Sequence, residues 1–300
     1  MPKTTLSFYL HIIAVAVIVF ALGHFFYAHP EERAAASVSK DSTQKESVYD
    51  RVMRTGTIRC GYLTYSDWLA KDPQTGKLNG MFVEVMDEVS RLTNLKIEWV
   101  EEVGWGNMLA GLESNRYDLV CMPVWESLER LQGADFSDAV FYNLIYAWVR
   151  DGDNRFLDVA ALRKAENIKV SAIDGDAAGQ IAKEDFPNAS LLSLPQLAGI
   201  PEMLANVANN KADVTFQAPF AAAEFNQASN IKLKRLGAEP VRFFKTAFPM
   251  KKNEDEFRKF LNGAIWQITA NGKLEQILQK YEKYPGSFYR VAKPYQLPTN

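Results

Sequence analysis

Beyond residue 49 the chain alternates short apolar runs with amphipathic helical patterns, and this alternation limits its fold more than any other feature. Thr57–Tyr62 has the composition of a buried strand, and residues 81–92 place apolar side chains at helical spacing. Strands that alternate with helices predict an α/β architecture built on parallel strands. Further strands are predicted at 96–100, 117–123, 143–150, 168–173 and 213–217, and further helices at 108–114, 179–184, 200–209, 254–270 and 273–284.

The charge and the histidines exclude several function classes. The net charge is -2 and the chain has no long basic run, which argues against a nucleic-acid surface. All three histidines, His11, His24 and His29, lie in the N-terminal segment. Catalytic triads and the commonest catalytic zinc sites need imidazole, so the body of the chain is predicted to hold neither of them. No metal and no cofactor are expected. A small solute is the expected partner.

The N-terminal segment is predicted to meet a membrane. Residues 6–27 are almost continuously apolar, carry no Lys, Arg, Asp or Glu, and follow Lys3. The length suits an uncleaved anchor, while Ala34-Ala35-Ala36 offers a small-residue cleavage site, so residues 1–28 are an anchor or a signal peptide. The polar composition of residues 29–48 predicts a flexible linker. The folded part is therefore expected in the periplasm, either anchored to the inner membrane or released.

Several short motifs, taken in order, resemble the bacterial extracellular solute-binding proteins of family 3, known as amino-acid receptors for ABC importers. The resemblance covers about residues 50–284. Its landmarks are Arg59-Cys60-Gly61-Tyr62, the turn at 76–80, Trp105, the run at 111–118, Ser127-Leu128-Glu129-Arg130 ahead of Phe136-Ser137, Lys211-Ala212-Asp213, and Gly272-Lys273-Leu274.

This resemblance implies a two-lobed α/β fold of the periplasmic-binding-protein (venus-flytrap) type with a discontinuous first lobe. Residues 49–147 and 246–284 would form lobe 1 and residues 148–245 lobe 2, with 285–300 as a C-terminal extension. The solute would lie between the lobes, which would close about two crossover strands and be recognised by an ABC permease in the inner membrane.

Arg130 is the first residue predicted to bind the solute. The family's arginine at this position binds the ligand's carboxylate, because a planar guanidinium offers paired donors to two carboxylate oxygens. The alternative is a solvated Arg130 paired with Glu126 or Glu129 at helical spacing. Ser127 would donate to the same carboxylate, cap a helix, or do both.

Aromatic residues are expected to wall the cleft. The family places aromatic side chains after the first strand, where Tyr65 and Trp68 stand here, although packing beneath a loop is an equal alternative. Trp125 follows a predicted strand at the edge where open α/β sheets bind ligands. Trp105 is interpreted as a core residue.

Two positions depart from the family pattern. Asp176 stands where the family has Ser or Thr; it is either a helix N-cap or a partner for a cationic or hydrogen-donating part of the solute. The family also carries an aspartate about five residues after Asp213, which binds the ligand's ammonium group, but no acid follows Asp213 here. Gln217 is a neutral hydrogen-bonding candidate in that stretch, or a strand-end residue facing solvent. An amine-free carboxylate is then a possible solute, unless Asp176 replaces the missing acid.

The sequence contains two cysteines, Cys60 and Cys121. Cys60 and Cys121 are interpreted as buried thiols, because a bridge between adjacent strands is geometrically awkward, and a disulfide formed in an oxidising periplasm is the alternative. An enzyme similar to cyclohexadienyl dehydratase, with Asp176 as general acid, and a membrane-tethered sensor are the alternatives to a receptor.

Overall fold

The computed structural model describes residues 46–291, so the predicted anchor or signal segment, nearly all of the predicted linker, and residues 292–300 lie outside it. Among residues 46–291, no helix has both the length and the apolar character needed to cross a bilayer. The helices are α1 Val48–Thr55, α2 Met81–Thr93, α3 Met108–Glu113, α4 Leu128–Leu131, α5 Val159–Lys164, α6 Ala177–Asp185, α7 Ile200–Ala208, α8 Pro219–Ala228, α9 Asp255–Ala270 and α10 Lys273–Tyr281.

Two main sheets organise these helices. The strands are β1 Thr57–Tyr62, β2 Ala70–Lys71, β3 Leu78–Asn79, β4 Lys96–Glu102, β5 Leu119–Val120, β6 Val124–Trp125, β7 Asp135–Phe136, β8 Phe141–Arg150, β9 Lys169–Ile173, β10 Ser190–Leu194, β11 Val214–Gln217, β12 Leu233–Arg235, β13 Arg242–Ala247, β14 Pro249–Met250 and β15 Tyr289–Arg290. The first sheet has the order β4-β1-β5-β14-β7. The second has the order β10-β9-β11-β8-β13-β6, with β12 and β15 also paired to β8.

The sheets are mixed, not parallel throughout as the sequence predicted. β1 pairs in parallel with β4 and β5, and β9 with β10 and β11, whereas β14 pairs antiparallel with β5. The long strand β8 pairs antiparallel with β13 near its start and with β11 and β12 near its end. The structure has two halves, one around the first sheet and one around β9–β12. β8 and β13 are the two strands that cross between these halves, and they impose the antiparallel pairs.

The start of helix α2 is determined by the backbone conformation of the glycine that precedes it. Its predicted apolar stripe is buried, and the helix begins after Gly80, which has φ of 118°. A Cβ at Gly80 would lie 2.7 Å from the carbonyl oxygen of Asp67, so only glycine lets the two backbone segments come this close. Because Asp67 and Trp68 accept hydrogen bonds from the first N–H groups of α2, this contact also places the Tyr65–Trp68 loop.

Cys60 and Cys121 form a disulfide bond, so the prediction of two buried thiols was wrong. A disulfide is geometrically awkward between cysteines that stand opposite each other on two regularly paired strands. Here Cys60 pairs with Leu119, and Cys121 lies just beyond the end of β5. The two Cα atoms are 5.3 Å apart, within the usual range for a disulfide. The bond joins β1 to the segment that enters the candidate site.

Asp118 joins helix α1 to the first sheet. It is fully buried and accepts hydrogen bonds from the guanidinium groups of Arg51 and Arg59 and from the Arg59 backbone N–H, the last at 2.7 Å. Such pairing offsets the high cost of burying a carboxylate. The motif around Asp118, found as a landmark in the sequence, thus has a structural role.

The segment 285–291, predicted as the start of a C-terminal extension, packs back onto the crossing strands. β15 pairs with the first residues of β8, and Phe288 is buried with its ring centroid 4.9 Å from that of Phe141. Phe288 also contacts Trp68 and Phe220 at 5.8 and 6.3 Å between centroids. The segment therefore packs against an aromatic cluster formed by Trp68, Phe141 and Phe220.

Candidate functional site

The candidate site lies where segments following β1, β5 and β6 meet segments following β9 and β11. Two helices place its charged residues. Helix α4 begins after Ser127, whose hydroxyl accepts a hydrogen bond from the Arg130 backbone N–H at 3.3 Å. Helix α6 begins after Asp176, whose Oδ1 accepts from the Gly179 backbone N–H at 3.0 Å. The predictions of N-caps at Ser127 and Asp176 are both confirmed.

Arg130 is buried, which is against the solvated alternative. Its Nη1 donates to the Trp125 carbonyl oxygen at 2.7 Å and its Nη2 to the Gly175 carbonyl oxygen at 3.0 Å. Burial lowers the pKa of Arg130 to about 10, against the opposing effect of the Asp176 charge, so the guanidinium stays charged at neutral pH. Arg130 thus carries a positive charge across the gap between the halves, from β6 to the start of α6.

Asp176 is 6 % exposed, and its Oδ2 has no hydrogen-bond partner among the described residues. Burial raises the pKa of Asp176 to about 7, although the Gly179 N–H and the Arg130 charge both act to lower it. A carboxylate oxygen that is buried without a partner costs free energy until a donor reaches it. Asp176 Oδ2 is therefore a buried acceptor without a donor among the described residues.

Tyr65 and Gln217 join the two halves directly. The Tyr65 hydroxyl donates to Gln217 Oε1 at 3.0 Å, and both side chains are buried. Burial raises the pKa of Tyr65 above its ordinary value, and the charges of Glu224 and Asp176 add to the effect, so the phenol remains neutral. The alternative of Gln217 facing solvent was wrong, because β11 ends inside the cleft.

Two tryptophans, Trp68 and Trp125, line the same cavity as these groups. Trp68 is buried, with its ring 5.0 Å from Tyr65 and 5.1 Å from Phe220 between centroids. Trp125 stacks on Phe244 at 5.4 Å, and its Nε1 donates to Asn143 Oδ1 at 3.1 Å. Partners on both halves thus fix the orientation of these rings.

Two cavities meet at Arg130 and Asp176. The aromatic cavity has a free volume of about 20 Å³, which is enough for about one water molecule. The polar cavity has a free volume of about 320 Å³. The aromatic cavity is lined chiefly by Tyr65, Trp68, Trp105, Trp125, Arg130, Asp176, Ile200 and Gln217. The polar cavity is lined chiefly by Trp105, Leu109, Glu129, Arg130, Asp174, Asp176, Gln180, Lys183, Leu191 and Ser193.

The structure thus brings Arg130, Tyr65, Trp68, Trp125, Asp176 and Gln217 together around one cavity, while Ser127 is not among the residues that line it. Trp105 was interpreted as a core residue, but it is only half-buried and lines both cavities. Sequence reasoning missed Ile200, Lys183 and the cluster partner Phe220. Helical spacing from Asp176 could have pointed to Lys183. Phe220 could not be found in this way, because it lies on a helix at 219–228 that was not predicted.

The two halves touch across this site. A Cβ at Gly175, where φ is 83°, would lie 2.4 Å from the Cα of Gly106, so the approach requires glycine. The Trp105 N–H also donates to the Gln196 carbonyl oxygen at 3.3 Å. In this closed arrangement Arg130 bonds to the backbone carbonyls of Trp125 and Gly175. Within residues 46–291, no group of three or more His, Cys, Asp or Glu side chains could hold a metal ion.

Comparison with protein families identifies the scaffold. The model of the bacterial extracellular solute-binding proteins, family 3, matches residues 59–284. The chain belongs to this family. The resemblance predicted from the landmarks is confirmed. Because this is a family of solute-binding proteins, the prediction of a binding protein and not an enzyme is confirmed as well.

Individual relatives agree with this membership. The L-cystine-binding protein TcyA of Bacillus subtilis is 24% identical over 81% of this chain and 87% of its own length. A probable amino-acid ABC transporter-binding protein of Haemophilus influenzae is 26% identical over 77% and 86%, and the L-cystine-binding protein TcyJ of Escherichia coli is 22% identical over 82% and 90%.

Solved structures show the same two-lobed α/β fold. The ancestral amino acid-binding protein AncCDT-1, described as a precursor of cyclohexadienyl dehydratase, superposes with a TM-score of 0.68 at 22% identity, covering 79% of this chain and 100% of that one. A putative L-cystine ABC transporter protein from Listeria monocytogenes superposes with a TM-score of 0.67 at 24% identity, covering 78% and 99%. The predicted periplasmic-binding-protein fold is thus confirmed for the folded part, and the cleft between its lobes contains the candidate site.

Proposed function

We propose that the chain captures an amino acid, or a zwitterion similar to one, between its two lobes. The closed form would be presented to the permease of an ABC importer. The observation that carries the proposal is the opposite charge of two buried side chains, Arg130 and Asp176, which line the same cavities. The guanidinium matches a carboxylate, and the unpartnered Asp176 Oδ2 matches an ammonium group.

Asp176 would take over the role of the acid that the family places after Asp213. Gln217 is neutral and already accepts a hydrogen bond from Tyr65, so it does not supply a counter-charge for an ammonium. A buried ammonium without such a charge is costly. The relatives named for L-cystine, glutamine and histidine support an amino-acid solute over an amine-free acid.

The membrane-facing parts of this function rest on the sequence. We propose that the N-terminal apolar segment either holds the binding lobes beside the permease or directs them across the inner membrane. Tethering would raise the local concentration of the receptor near its transporter.

A thermal-shift screen of the full-length protein tests the solute class. We expect one or more amino acids to raise the melting temperature, because a ligand that binds only the folded state stabilises it. The Asp176→Ala variant should lose this response, since it removes the acceptor for the ammonium group. Stabilisation by amine-free carboxylates alone would overturn the zwitterion proposal, and a response to no member of the panel would favour the sensor alternative.

The pH dependence of binding gives an independent test with a definite sign. Arg130 and the neutral Tyr65 face Asp176, so Asp176 is the group expected to titrate, with a pKa of about 7. An ammonium needs the ionised carboxylate, so affinity should fall as the pH is lowered, by up to about tenfold per unit between pH 7 and pH 5. The measurement is calorimetric titration across this range.

The Asp176→Asn variant is the control, because it should bind weakly at every pH in the range. An amine-free acid would show the opposite trend, since it would prefer the protonated Asp176 and bind more tightly as the pH falls. Affinity that does not change between pH 5 and pH 8 would exclude a charge contact with Asp176.

A further inference from the structure

The C-terminal segment 285–291 lies beyond the part of the chain that matches the family model, which ends at residue 284. Ser287 and Phe288 of this segment are both buried. Neither of them lines the aromatic cavity or the polar cavity. Any effect of the segment on a solute in these cavities must therefore pass through the residues that the segment contacts.

The ring of Phe288 contacts aromatic side chains from three separate parts of the fold. Its centroid lies 4.9 Å from that of Phe141 on the crossing strand β8, and 6.3 Å from that of Phe220 on α8. It also lies 5.8 Å from the ring centroid of Trp68, in the loop after β1. Trp68 lines the aromatic cavity. Because protein interiors are close-packed, the Phe288 ring limits the positions that the Trp68 indole can adopt.

A buried amide connects the same segment to the second tryptophan of the cavity. Asn143, on β8, is fully buried, and its Nδ2 donates to the Ser287 carbonyl oxygen at 2.8 Å. Its Oδ1 accepts from Trp125 Nε1 at 3.1 Å and from the Thr246 hydroxyl at 2.9 Å. A rotated amide would place an N–H donor against the Trp125 N–H donor. The Ser287 carbonyl therefore fixes the amide in the orientation that holds Trp125.

The segment is itself held in place by charged contacts with the end of helix α10. The Arg290 guanidinium forms ion pairs with Glu275 at 2.9 Å and with Glu282 at 2.6 Å. Glu282 also accepts a hydrogen bond from the Gly286 backbone N–H at 3.1 Å. Together with the pairing of β15 to β8, these contacts give Ser287 and Phe288 fixed positions.

We propose that residues 285–291 act as a strap that positions the two cavity tryptophans for the solute. Phe288 positions Trp68, and the Ser287 carbonyl positions Trp125 through Asn143. Rings that are already held in place lose less side-chain freedom when a solute binds, so the strap strengthens binding without touching the solute. The inference goes beyond the proposed function and rests on it only for the solute that serves as probe.

Replacing Phe288 with alanine in the full-length protein should weaken solute binding about five- to tenfold, since changes at packed neighbours of a site alter affinity on this scale. Phe288→Leu, which keeps most of the apolar volume, should recover most of the affinity. Tyr289→Ala is the matched control, because Tyr289 is the adjacent aromatic residue and is exposed. Calorimetric titration uses each common amino acid, cystine included, as the probe.

The indole N–H signals of the tryptophans give a readout that needs no solute. In a nuclear magnetic resonance spectrum of nitrogen-labelled protein, Phe288→Ala should shift the signals of Trp68 and Trp125. Those of Trp99 on β4 and of the exposed Trp266 on α9 should stay in place. The variants Trp68→Phe and Trp125→Phe assign the two signals. A role limited to stability would lower the melting temperature but leave affinity and these signals unchanged.

The outcomes separate the inference from the proposed function. Unchanged affinity in a folded Phe288→Ala protein, or unmoved signals of Trp68 and Trp125, overturns the positioning role. Equal weakening by Tyr289→Ala also overturns it, because the effect would then not depend on the buried ring. If Phe288→Ala does not fold, Phe288→Leu should shift the same two signals by less, and no shift rejects the strap. If no amino acid binds the unmodified protein, the proposed function fails and the indole signals still decide the role of the strap.

Discussion

Replacing Arg130 with alanine should weaken solute binding by at least about 100-fold. The loss of a buried charged partner leaves the solute carboxylate and Asp176 without their counter-charge, an effect of about 3 kcal/mol or more. Arg130→Lys should lose less, about tenfold, because an ammonium keeps the charge but not the planar pair of donors. Calorimetric titration with the solute found by screening gives both values.

Arg91→Ala is the matched control for charge and size, because Arg91 is an exposed residue of α2 that lines neither cavity. Its affinity should equal that of the unmodified protein. Arg130 also donates a hydrogen bond to the Gly175 carbonyl oxygen, so its removal can change stability, and the melting temperature of each variant is measured without solute. If Arg130→Ala binds as tightly as Arg91→Ala, the carboxylate contact is wrong.

Removing the Cys60–Cys121 disulfide should lower the free energy of unfolding by about 4 kcal/mol. The two cysteines are 61 positions apart, and in the loop-entropy model a crosslink of this span restricts the unfolded chain by about that amount. The measurement is equilibrium urea unfolding of the full-length protein with and without reductant. A loss of this size should move the urea midpoint down by more than about 1 M.

The Cys60→Ala/Cys121→Ala variant separates the crosslink from the presence of reductant. It should resemble the reduced protein in its stability and show no further response to reductant. Solute affinity should change little, because neither cysteine lines the cavities. A protein whose urea midpoint is the same under oxidising and reducing conditions would not contain the bond.

The sequence predicted more of the fold than of the site. Elements with strong periodicity, such as β1, α2 and α9, begin and end within two residues of the predictions, because their patterns reflect burial along a single segment. The strand predicted at 117–123 is reduced to Leu119–Val120, since the chain turns out of the sheet at the disulfide. Helix α8 has a weak amphipathic pattern and was not predicted.

For the site, local motifs predicted which residues contribute to it. The tertiary structure determined their burial, the pKa of their side chains and their hydrogen bonds. Arg130 was found from the short signature that contains it, and the structure places it in the cleft. Asp176 could be an N-cap or a solute contact from its sequence alone. Only its burial beside a guanidinium raises its pKa to about 7 and leaves one oxygen without a partner.

The sequence by itself determined the α/β alternation, the family, the absence of histidine chemistry in the body of the chain, and the position of Arg130. The tertiary structure decided the mixed sheets, the disulfide, the half-buried position of Trp105 and the meeting of Arg130 and Asp176 at the same cavities. These features depend on how closely two distant segments approach, as Gly106 and Gly175 do across the cleft. Hydrophobic periodicity reports the environment of one segment, whereas a binding site arises from the distances between several.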